Sequence, residues 1–354
     1  MKIVLLFDGA SALGASADVL ILETIEAIEH VLVADGHQVV RLPVYADGRW
    51  IERVRRGKYD LAFNLCEGIN GVAALEPSVI SVLELFGLPY TGSSSATTTL
   101  CLRKDVVNAM LDKLDLPIPR WSVVRPRDRL PTVGFPAICK PVAEDASIGV
   151  EQASVVRTQR QLASRIEAMQ ERWDEILVQR YIDGREVNVG IVGDKVLPIA
   201  EIRFDRMPKG MWRIVSYRSK WETGCDEDLG AAPRCPAPLP KRLTEEIQHI
   251  ALAAWNAVGG EGYGRVDLRI DRAGRPWILE VNANPDIAPD AGLARMAGVA
   301  GMDFGAMIRH VCECAMARRS NVSPDESWII ARRLSGVTLS GDAAALDLFR
   351  MARQ

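Results

Sequence analysis

The sequence lacks the long apolar runs and the export signals of membrane and secreted proteins. No apolar run reaches the roughly 18 residues that a membrane-spanning helix needs, which predicts a chain that does not cross a membrane. The apolar stretch at the N-terminus ends at Asp8, and no export-type organisation follows it. A buried first strand therefore explains this stretch better than a signal peptide.

Clustered basic charge and paired cysteines are missing as well. Lys and Arg are spread along the 354 residues and the formal net charge is −3, whereas nucleic-acid-binding proteins usually carry a basic stripe. The seven cysteines lack the paired spacing of a metal site, which predicts reduced thiols. We therefore expect a cytoplasmic protein that binds small molecules and has neither a nucleic-acid nor a membrane partner.

Strands and helices alternate in the first hundred residues. Strands are predicted at 2–7, 38–42 and 61–65, and helices at 18–34 and 77–86. This alternation is typical of a parallel sheet covered on both faces. The G-x-G-x-x-G pattern of dinucleotide-binding folds is absent, because residues 9–14 are Gly-Ala-Ser-Ala-Leu-Gly. An oxidoreductase of that fold is therefore the weaker interpretation.

The most informative segment is a predicted β-hairpin at 263–282. Side chains alternate between the two faces of a strand, so polar residues gather on one face of each strand. One face carries Arg265, Asp267 and Arg269 in the first strand and Glu280 and Asn282 in the second, whereas Leu279 and Val281 lie on the opposite, apolar face.

The register of this hairpin places two acids opposite each other. A four-residue loop at 272–275 would pair Asp267 with Glu280 and Arg265 with Asn282. Like charges in facing positions destabilise a sheet, but a divalent cation between them reverses the sign of the interaction. Carboxylate and amide oxygens suit Mg²⁺, and an arginine beside the metal suits a transferring phosphoryl group. The alternative is an exposed hairpin whose polar face only meets water.

A series of short segments points to a known family. They are Leu88–Gly92, Lys104, Phe135–Pro141, Ser147–Gly149, Glu175–Glu186, Lys220, Gly264–Asp267 and Leu279–Asn282. In this order the sequence resembles the ATP-grasp superfamily, and within it the D-alanine–D-alanine ligase-like branch, over about residues 1–317. Each segment is weak alone, but together they form a specific signal.

The resemblance implies a three-lobed α/β fold of the ATP-grasp type. An N-terminal parallel-sheet lobe is followed by two α+β lobes that sandwich ATP. The implied division is 1–100 for the N-terminal substrate lobe, 101–186 for the central lobe and 187–318 for the C-terminal catalytic and metal-binding lobe, followed by a tail, 319–354, without an assigned role.

The resemblance also implies a nucleotide site built from several separate segments. Lysines offset the phosphate charge and a small glycine loop covers it. The implied residues are Lys104, Lys140 and Ser147 for the phosphates, Gln179 for the adenine edge, Tyr181 and Ile182 for backbone contacts, Glu186 for the ribose hydroxyls, and Leu279. Without the resemblance, solvated lysines, an ordinary glycine turn and a strand-edge glutamate would explain the same residues.

By the same resemblance, Asp267, Glu280 and Asn282 hold two Mg²⁺ ions, with Mn²⁺ as a substitute. Arg265 and Lys220 are the implied catalytic residues, Lys220 on a loop that closes over the γ-phosphate. The implied reaction joins a carboxylate to an amine. The carboxylate attacks the γ-phosphorus to give an acyl phosphate and ADP, and the amine then displaces phosphate. The resemblance also allows a homodimer.

The departures from the family cluster at the substrate end. D-alanine–D-alanine ligases tie their closing loop down with a Tyr–Ser–Glu set, but here Trp221 and Ala146 stand in the first two places and residues 7–14 supply no glutamate. An indole only donates and an alanine side chain does neither, so we expect no replacement for this set.

Three further departures concern the substrates themselves. Asp286 stands where the family usually has a glycine, and Gly292 where it has a serine that receives a carboxylate. Glu67, in a segment that replaces a His-Gly motif, is a candidate ligand for a substrate amine. We therefore expect an amino-acid-like substrate pair other than two D-alanines. The alternatives are a D-alanine–D-alanine ligase with a rebuilt pocket and a nucleotide-binding scaffold without turnover.

Overall fold

A parallel three-stranded sheet forms the N-terminal lobe of the protein, whose computed structural model describes residues 1–10 and 17–318. The strand order is β2-β1-β3. Alternate side chains of the central strand enter two different apolar cores, because helices cover both faces of the sheet. The elements of this lobe are β1 (Lys2–Asp8), α1 (Ala17–Ala34), β2 (Gln38–Val44), α2 (Arg49–Gly57), β3 (Leu61–Asn64), α3 (Glu76–Leu85) and α4 (Ser95–Leu102).

A four-stranded antiparallel sheet, in the order β4-β7-β5-β6, forms the central lobe. Helix α6 packs against it through Leu162, Ile166 and Met169, which lie on one face at helical spacing. The Thr158 hydroxyl caps the helix by accepting the N–H of Gln161. The elements are α5 (Lys104–Lys113), β4 (Trp121–Val124), β5 (Ala137–Pro141), β6 (Val155–Val156), α6 (Gln159–Gln170) and β7 (Ile176–Arg180).

A six-stranded sheet forms the C-terminal lobe, in the order β11-β10-β8-β12-β13 with β9 paired to β8. Strand β7 of the central sheet ends at Arg180, and β8 belongs to the six-stranded sheet from Gly184 onward. The elements are β8 (Gly184–Val192), β9 (Lys195–Val196), β10 (Ala200–Arg203), α7 (Tyr217–Trp221), α8 (Asp226–Gly230), β11 (Ala232–Arg234), α9 (Lys241–Ala257), β12 (Tyr263–Asp271), β13 (Pro276–Asn282), α10 (Gly292–Val299) and α11 (Phe304–Ala317).

The hairpin of β12 and β13 contains the predicted pair of facing acids, but its register differs from the predicted one. Asp267 does face Glu280, but Leu268 pairs with Ile278, so Leu279 is an extra residue in a β-bulge. Ile278 and Val281, three residues apart, both enter the apolar core, and Leu279 does not. The prediction that Leu279 shares the apolar face with Val281 is therefore wrong, because the bulge turns it away.

In the described part of the chain, no helix is long and apolar enough to cross a membrane. The tail from 319 onward and residues 11–14 of the segment at 7–14, for which the sequence analysis made predictions, lie outside the described residues.

Candidate active site

The facing acids of the hairpin lie in a network of fixed donors. The Arg265 guanidinium donates to both carboxylate oxygens of Asp267, at 2.7 and 2.9 Å. The Asn188 amide, on the neighbouring strand β8, donates to Oδ1 of Asp267 at 2.6 Å. Charges nearby, that of Asp267 above all, outweigh desolvation and keep the pKa of Arg265 above its usual value. The Asp267 carboxyl group is therefore held in a defined orientation.

Lys104 neutralises the second acid. Its ammonium group lies 3.1 Å from Oε1 of Glu280 and 3.2 Å from Oδ1 of Asp145, and it also donates to the Glu144 carbonyl. The residue is only 7% exposed. Burial alone would lower the pKa of Lys104, but the negative charges of Glu280 and Asp145 raise it. Lys104 therefore joins the metal-binding face to the glycine loop.

The predicted metal ligands fit magnesium better than a metal that needs a full protein cage. In residues 1–10 and 17–318, no three His, Cys, Asp or Glu side chains form a metal-binding group. The set here is two carboxylates and the amide oxygen of Asn282, which the Asn284 N–H orients at 2.8 Å. Mg²⁺ is bound in this way by few carboxylates and completes its shell with phosphate oxygens and water.

The predicted adenine position contains an unsatisfied amide. Gln179 is 1% exposed, and both its Nε2 and its Oε1 lack a hydrogen-bond partner among the described residues. An unpaired buried amide costs free energy, so such groups usually mark a missing partner. The edge of adenine offers one donor and one acceptor side by side, which matches this amide. The side chains present therefore fit a bound adenine.

Glu186, the predicted ribose ligand, forms an ion pair with Arg269 that we did not predict. Glu186, on β8, lies opposite Arg269 of β12 and accepts from its Nε and Nη2 at 3.1 and 2.7 Å. Arg269 also donates to the carbonyl of Ile182 at 2.8 Å. Tyr181 and Ile182, the predicted backbone contacts, are both buried.

Two further predicted residues lie on the strands that flank the nucleotide position. Lys140 is the last but one residue of β5, and desolvation lowers its pKa while the charge of Glu280 opposes that shift. Leu279 lies in the bulge next to Glu280, half-buried and outside the apolar core. The bulge therefore gives Leu279 the exposure that a contact with a bound base requires.

The predicted closing loop, residues 215–221 including the short helix α7, is tied to the glycine loop, residues 144–149, by two hydrogen bonds. The Trp221 indole donates to the Ala146 carbonyl at 3.1 Å, and the Ser147 hydroxyl donates to the Val215 carbonyl at 3.0 Å. Ala146 and Ser147 have φ angles of 53° and 62°, in the left-handed region. The expectation that Trp221 and Ala146 supply no tie is therefore wrong in part, because a main-chain oxygen accepts.

Lys220 lies in this loop, next to Trp221. Desolvation lowers its pKa, and so does the charge of Arg265. The charges of Asp267 and Glu280 act in the opposite direction, which places the Lys220 ammonium within their electrostatic reach. The structure thus brings Lys220 and Arg265, both predicted to be catalytic, near the two acids that are predicted to bind metal.

Two exposed acids face the site from the substrate side. Glu67 follows β3, and the protein around its exposed side chain raises the pKa of its carboxyl to about 7, first by desolvation. The negative charges of Asp286 and Asp145 add to this rise, whereas those of Lys220 and Arg265 oppose it. Glu67 and Asp286 therefore form an acidic side of the site, opposite its basic residues.

Gly292 is the first residue of α10, and a side chain added to it would meet open space. Free N–H groups at a helix start are suited to bind a carboxylate. Behind this point, Asn284 joins two lobes: its Nδ2 donates to the Cys66 carbonyl at 3.1 Å and to Oε1 of Glu76 at 2.9 Å. Its Oδ1 accepts from the Tyr263 hydroxyl at 2.8 Å. The substrate side is thus fixed to the hairpin.

Sequence reasoning missed four residues that shape the site: Asn188, Arg269, Asp145 and Asn284. The strand pattern gave one usable signal, since Asn188 follows Glu186 by two and Arg269 follows Asp267 by two, so each pair shares a face. The partners of these residues lie in segments that are distant in sequence, and no local pattern identifies them.

The family model described as "D-ala D-ala ligase C-terminus" matches residues 110–313. A D-alanine–D-alanine ligase of Alkalilimnicola ehrlichii is 32% identical over 70% of this chain and 75% of its own length. An uncharacterised protein of Sinorhizobium fredii is 29% identical over 73% of this chain and 75% of its own. The crystal structure of the Bacillus anthracis D-alanine–D-alanine ligase complexed with ATP has a TM-score of 0.73 at 22% identity, covering 90% of this chain and 98% of that one.

The solved structure supports the fold, which is the three-lobed ATP-grasp architecture expected from the sequence. The family model covers more than half of the chain, and the relatives in sequence match across several lobes. The chain therefore belongs to the D-alanine–D-alanine ligase-like branch of the ATP-grasp enzymes, the ADP-forming ligases that make C–N bonds.

Proposed function

We propose that this enzyme uses ATP and Mg²⁺ to form a dipeptide-like amide bond through an acyl phosphate, from a substrate pair other than two D-alanines. The observation that carries the proposal is the contrast within one site. The facing acids Asp267 and Glu280 lie beside Arg265 as the chemistry needs. At the substrate end, the acid Asp286 takes the place of a glycine, next to Glu67.

The nucleotide lies between the central and C-terminal lobes in this proposal. Gln179 reads the adenine edge with both amide atoms, and Glu186 accepts the ribose hydroxyls. Lys104 and Lys140 approach the phosphates, with the glycine loop and Ser147 above them. The lobe divisions at residues 100, 186 and 318 are part of the same proposal.

The metal-binding residues are Asp267, Glu280 and Asn282. We propose two Mg²⁺ ions, which Mn²⁺ can replace, because hard oxygen ligands suit both. Bound there, the ions neutralise the charge on the transferring phosphoryl group. In the structure, Lys104 lies against Glu280 and Arg265 against Asp267. These cations therefore hold the two acids near their working positions.

The residues of the chain then act mainly by position and charge. Arg265 holds positive charge beside the carboxylate that attacks the γ-phosphorus, and it stabilises the acyl phosphate. Lys220 comes over the γ-phosphate with the closing loop, which Trp221 and Ser147 hold to the glycine loop. Exclusion of water by this loop protects the acyl phosphate until the amine attacks.

The substrates meet at the acidic side of the site. Glu67 binds a substrate ammonium group, and the start of α10 at Gly292 receives a carboxylate. A second acid at Asp286 favours a substrate with additional positive charge or a hydrogen-bond donor near the reacting carbon. Amino acids supply these groups, and the enzyme can carry out this chemistry as a monomer or as a homodimer.

A D-alanine–D-alanine ligase with a rebuilt pocket is the second candidate, favoured by the names of relatives such as that of Alkalilimnicola ehrlichii. A nucleotide-binding scaffold without turnover is less well supported. A site that has lost its reaction has no need of two facing acids beside Arg265.

The test is phosphate release from ATP–Mg²⁺ across a panel of single and paired L- and D-amino acids. The Asp267→Asn variant removes a metal-binding charge, and Glu245→Gln, an exposed acid of α9, serves as the matched control. Release that needs two particular compounds, persists in the control and disappears in Asp267→Asn supports the ligase. Release that depends only on D-alanine would favour the second candidate, and no release with any pair would contradict both.

A further inference from the structure

A buried arginine, Arg269, lies behind the proposed nucleotide position. It is 3% exposed and lies on β12, directly opposite Glu186 of β8. An arginine buried in this way is stable only if its charge is paired and its donors are satisfied. The chain could place an apolar residue here, as it does at Leu268 and Ile270 on either side. The arginine therefore needs an explanation beyond filling space.

The guanidinium group of Arg269 joins three separate segments. Its Nε and Nη2 donate to Oε2 of Glu186, at 3.1 and 2.7 Å. Its Nη1 donates to the carbonyl of Ile182 at 2.8 Å, in the linker between β7 and β8. Its Nη2 also donates to the carbonyl of Arg213, three residues before the cap of α7. One side chain thus contacts the linker, a strand and the approach to the closing loop.

Aromatic rings hold this guanidinium in place. The ring of Tyr181 lies 4.8 Å from its central carbon and that of Phe204 lies 5.8 Å away. The Tyr181 hydroxyl also donates to the Arg213 carbonyl, at 3.1 Å, and so shares an acceptor with Arg269. Cation–π contacts of this kind stabilise a planar guanidinium without using its donors. The orientation of Arg269 is therefore fixed independently of any ligand.

We propose that Arg269 is a positioning residue for the nucleoside: it fixes the Glu186 carboxylate and the linker at Ile182 in the orientation that ribose and adenine require. Both bonds to Glu186 end on Oε2, so Oε1 is left to accept from the ribose. This inference rests on the proposed role of Glu186 as the ribose ligand. A lysine could pair with the acid but could not reach two acceptors in a fixed plane.

The experiment measures binding of ADP and of 2′,3′-dideoxy-ADP, each with Mg²⁺, by calorimetry. The substrates of the enzyme are not needed. The variants are Arg269→Met, Arg269→Lys, which keeps the charge if the methionine variant fails to fold, and Glu186→Gln. The control is Arg272→Met, at an exposed arginine of the same hairpin.

Unmodified protein and Arg272→Met should bind ADP more tightly than the dideoxy analogue, by about tenfold for two lost hydrogen bonds. Glu186→Gln and Arg269→Met should lose most of this preference, and Arg269→Lys should keep an intermediate part of it. Loss of the preference in Glu186→Gln with full retention in both Arg269 variants would overturn the role of Arg269 alone. No preference in the unmodified protein would overturn both the role of Arg269 and the ribose assignment of Glu186.

Discussion

The proposed nucleotide end and the proposed substrate end of this active site differ in how their charges are arranged. At the nucleotide end every acid has a cation beside it: Arg265 holds Asp267, Lys104 holds Glu280, and Arg269 holds Glu186. At the substrate end, Glu67 lies near Asp286, and their mutual repulsion contributes to raising the pKa of Glu67 to about 7. Cations of the chain itself lie beside the acids at the nucleotide end, whereas the acids at the substrate end are neutralised, in our proposal, by a positively charged group of the substrate.

This difference separates what the family shares from what this chain has changed. Transfer of a phosphoryl group needs the same charges whichever acid is activated, so the residues around the hairpin resemble those of the family. The substrates are bound by contacts that change with them, and the departures at Asp286 and Gly292 lie there. We therefore expect variants at the nucleotide end to slow phosphoryl transfer and variants at the substrate end to weaken substrate binding.

The largest effect is expected at the metal-binding face. Asp267→Asn removes one of two facing charges and leaves Arg265 and Asn188 one neutral amide oxygen in place of two carboxylate oxygens. We expect phosphate release to fall on the order of 100-fold or more, as for other losses of transition-state charge stabilisation. Steady-state assays of this variant against Glu245→Gln measure the effect. Activity within threefold of the control would contradict the assignment of the metal site.

A smaller and more selective effect is expected at Asp286. Asp286→Asn keeps the size of the side chain and removes its charge, so the KM of the amine-bearing substrate should rise about tenfold. ADP–Mg²⁺ affinity should stay within about twofold, because the nucleotide residues are not touched. Asp290→Asn, at an exposed acid in the same segment, is the control. A parallel loss of nucleotide affinity would show that the two ends are not separate.

The closing loop should respond to loss of one hydrogen bond. Trp221→Phe removes the indole donor to Ala146, worth about 1 kcal/mol, so kcat should fall about fivefold. A looser loop also admits water, which should raise the ratio of ADP formed to amide product. Trp277→Phe, which removes a comparable indole bond to Asp271 at the far end of the hairpin, is the control. If the ratio of ADP to amide product in Trp221→Phe is the same as in Trp277→Phe, the hydrogen bond from Trp221 to Ala146 does not hold the loop closed.

The smallest effect is a pH dependence at Glu67. Its carboxyl has a pKa of about 7 in place of the usual 4.5, so it becomes ionised as the pH rises through 7. Affinity for an ammonium-bearing substrate should therefore increase across that pH range and then level off, and Glu67→Gln should flatten the profile. A profile that Glu67→Gln leaves unchanged would assign the titration to another group.

The same shift has a consequence for folding. Between about pH 4.5 and 7 the folded protein keeps a proton on Glu67 that the unfolded chain has lost, so stability from this group declines as the pH rises through that window. Thermal unfolding at pH 5 and pH 8 should differ less for Glu67→Gln than for the unmodified protein.

Strand alternation and turn length were enough to predict the facing of Asp267 and Glu280, but two errors cancelled. Ile270, and not Asp271 as the four-residue loop required, lies opposite Pro276, so the register at the turn differs by one residue, and the bulge at Leu279 restores the predicted pair. A bulge depends on how the hairpin packs against its neighbours, so its position had no signal in the sequence.

Contacts to the main chain were harder to predict than contacts between side chains. The hydrogen bond from Trp221 ends on a carbonyl oxygen, which every residue carries, so the identity of Ala146 gave no indication of it.

Side-chain pairs between distant segments were also hard to predict. Arg269 and Glu186 are 83 residues apart and meet only because β8 and β12 are neighbours in the sheet. Such pairings follow from topology, which the resemblance implied only in outline.

The most direct test of the central claim is to incubate purified protein with ATP, Mg²⁺ and D-alanine alone, and to measure ADP and D-alanyl-D-alanine together with ADP–Mg²⁺ binding. The account predicts that nucleotide binds and that the dipeptide does not form at a substantial rate, whereas a pair from the amino-acid panel restores ADP formation. Rapid synthesis of D-alanyl-D-alanine would contradict it, since the changed substrate end would then serve the family's ordinary pair.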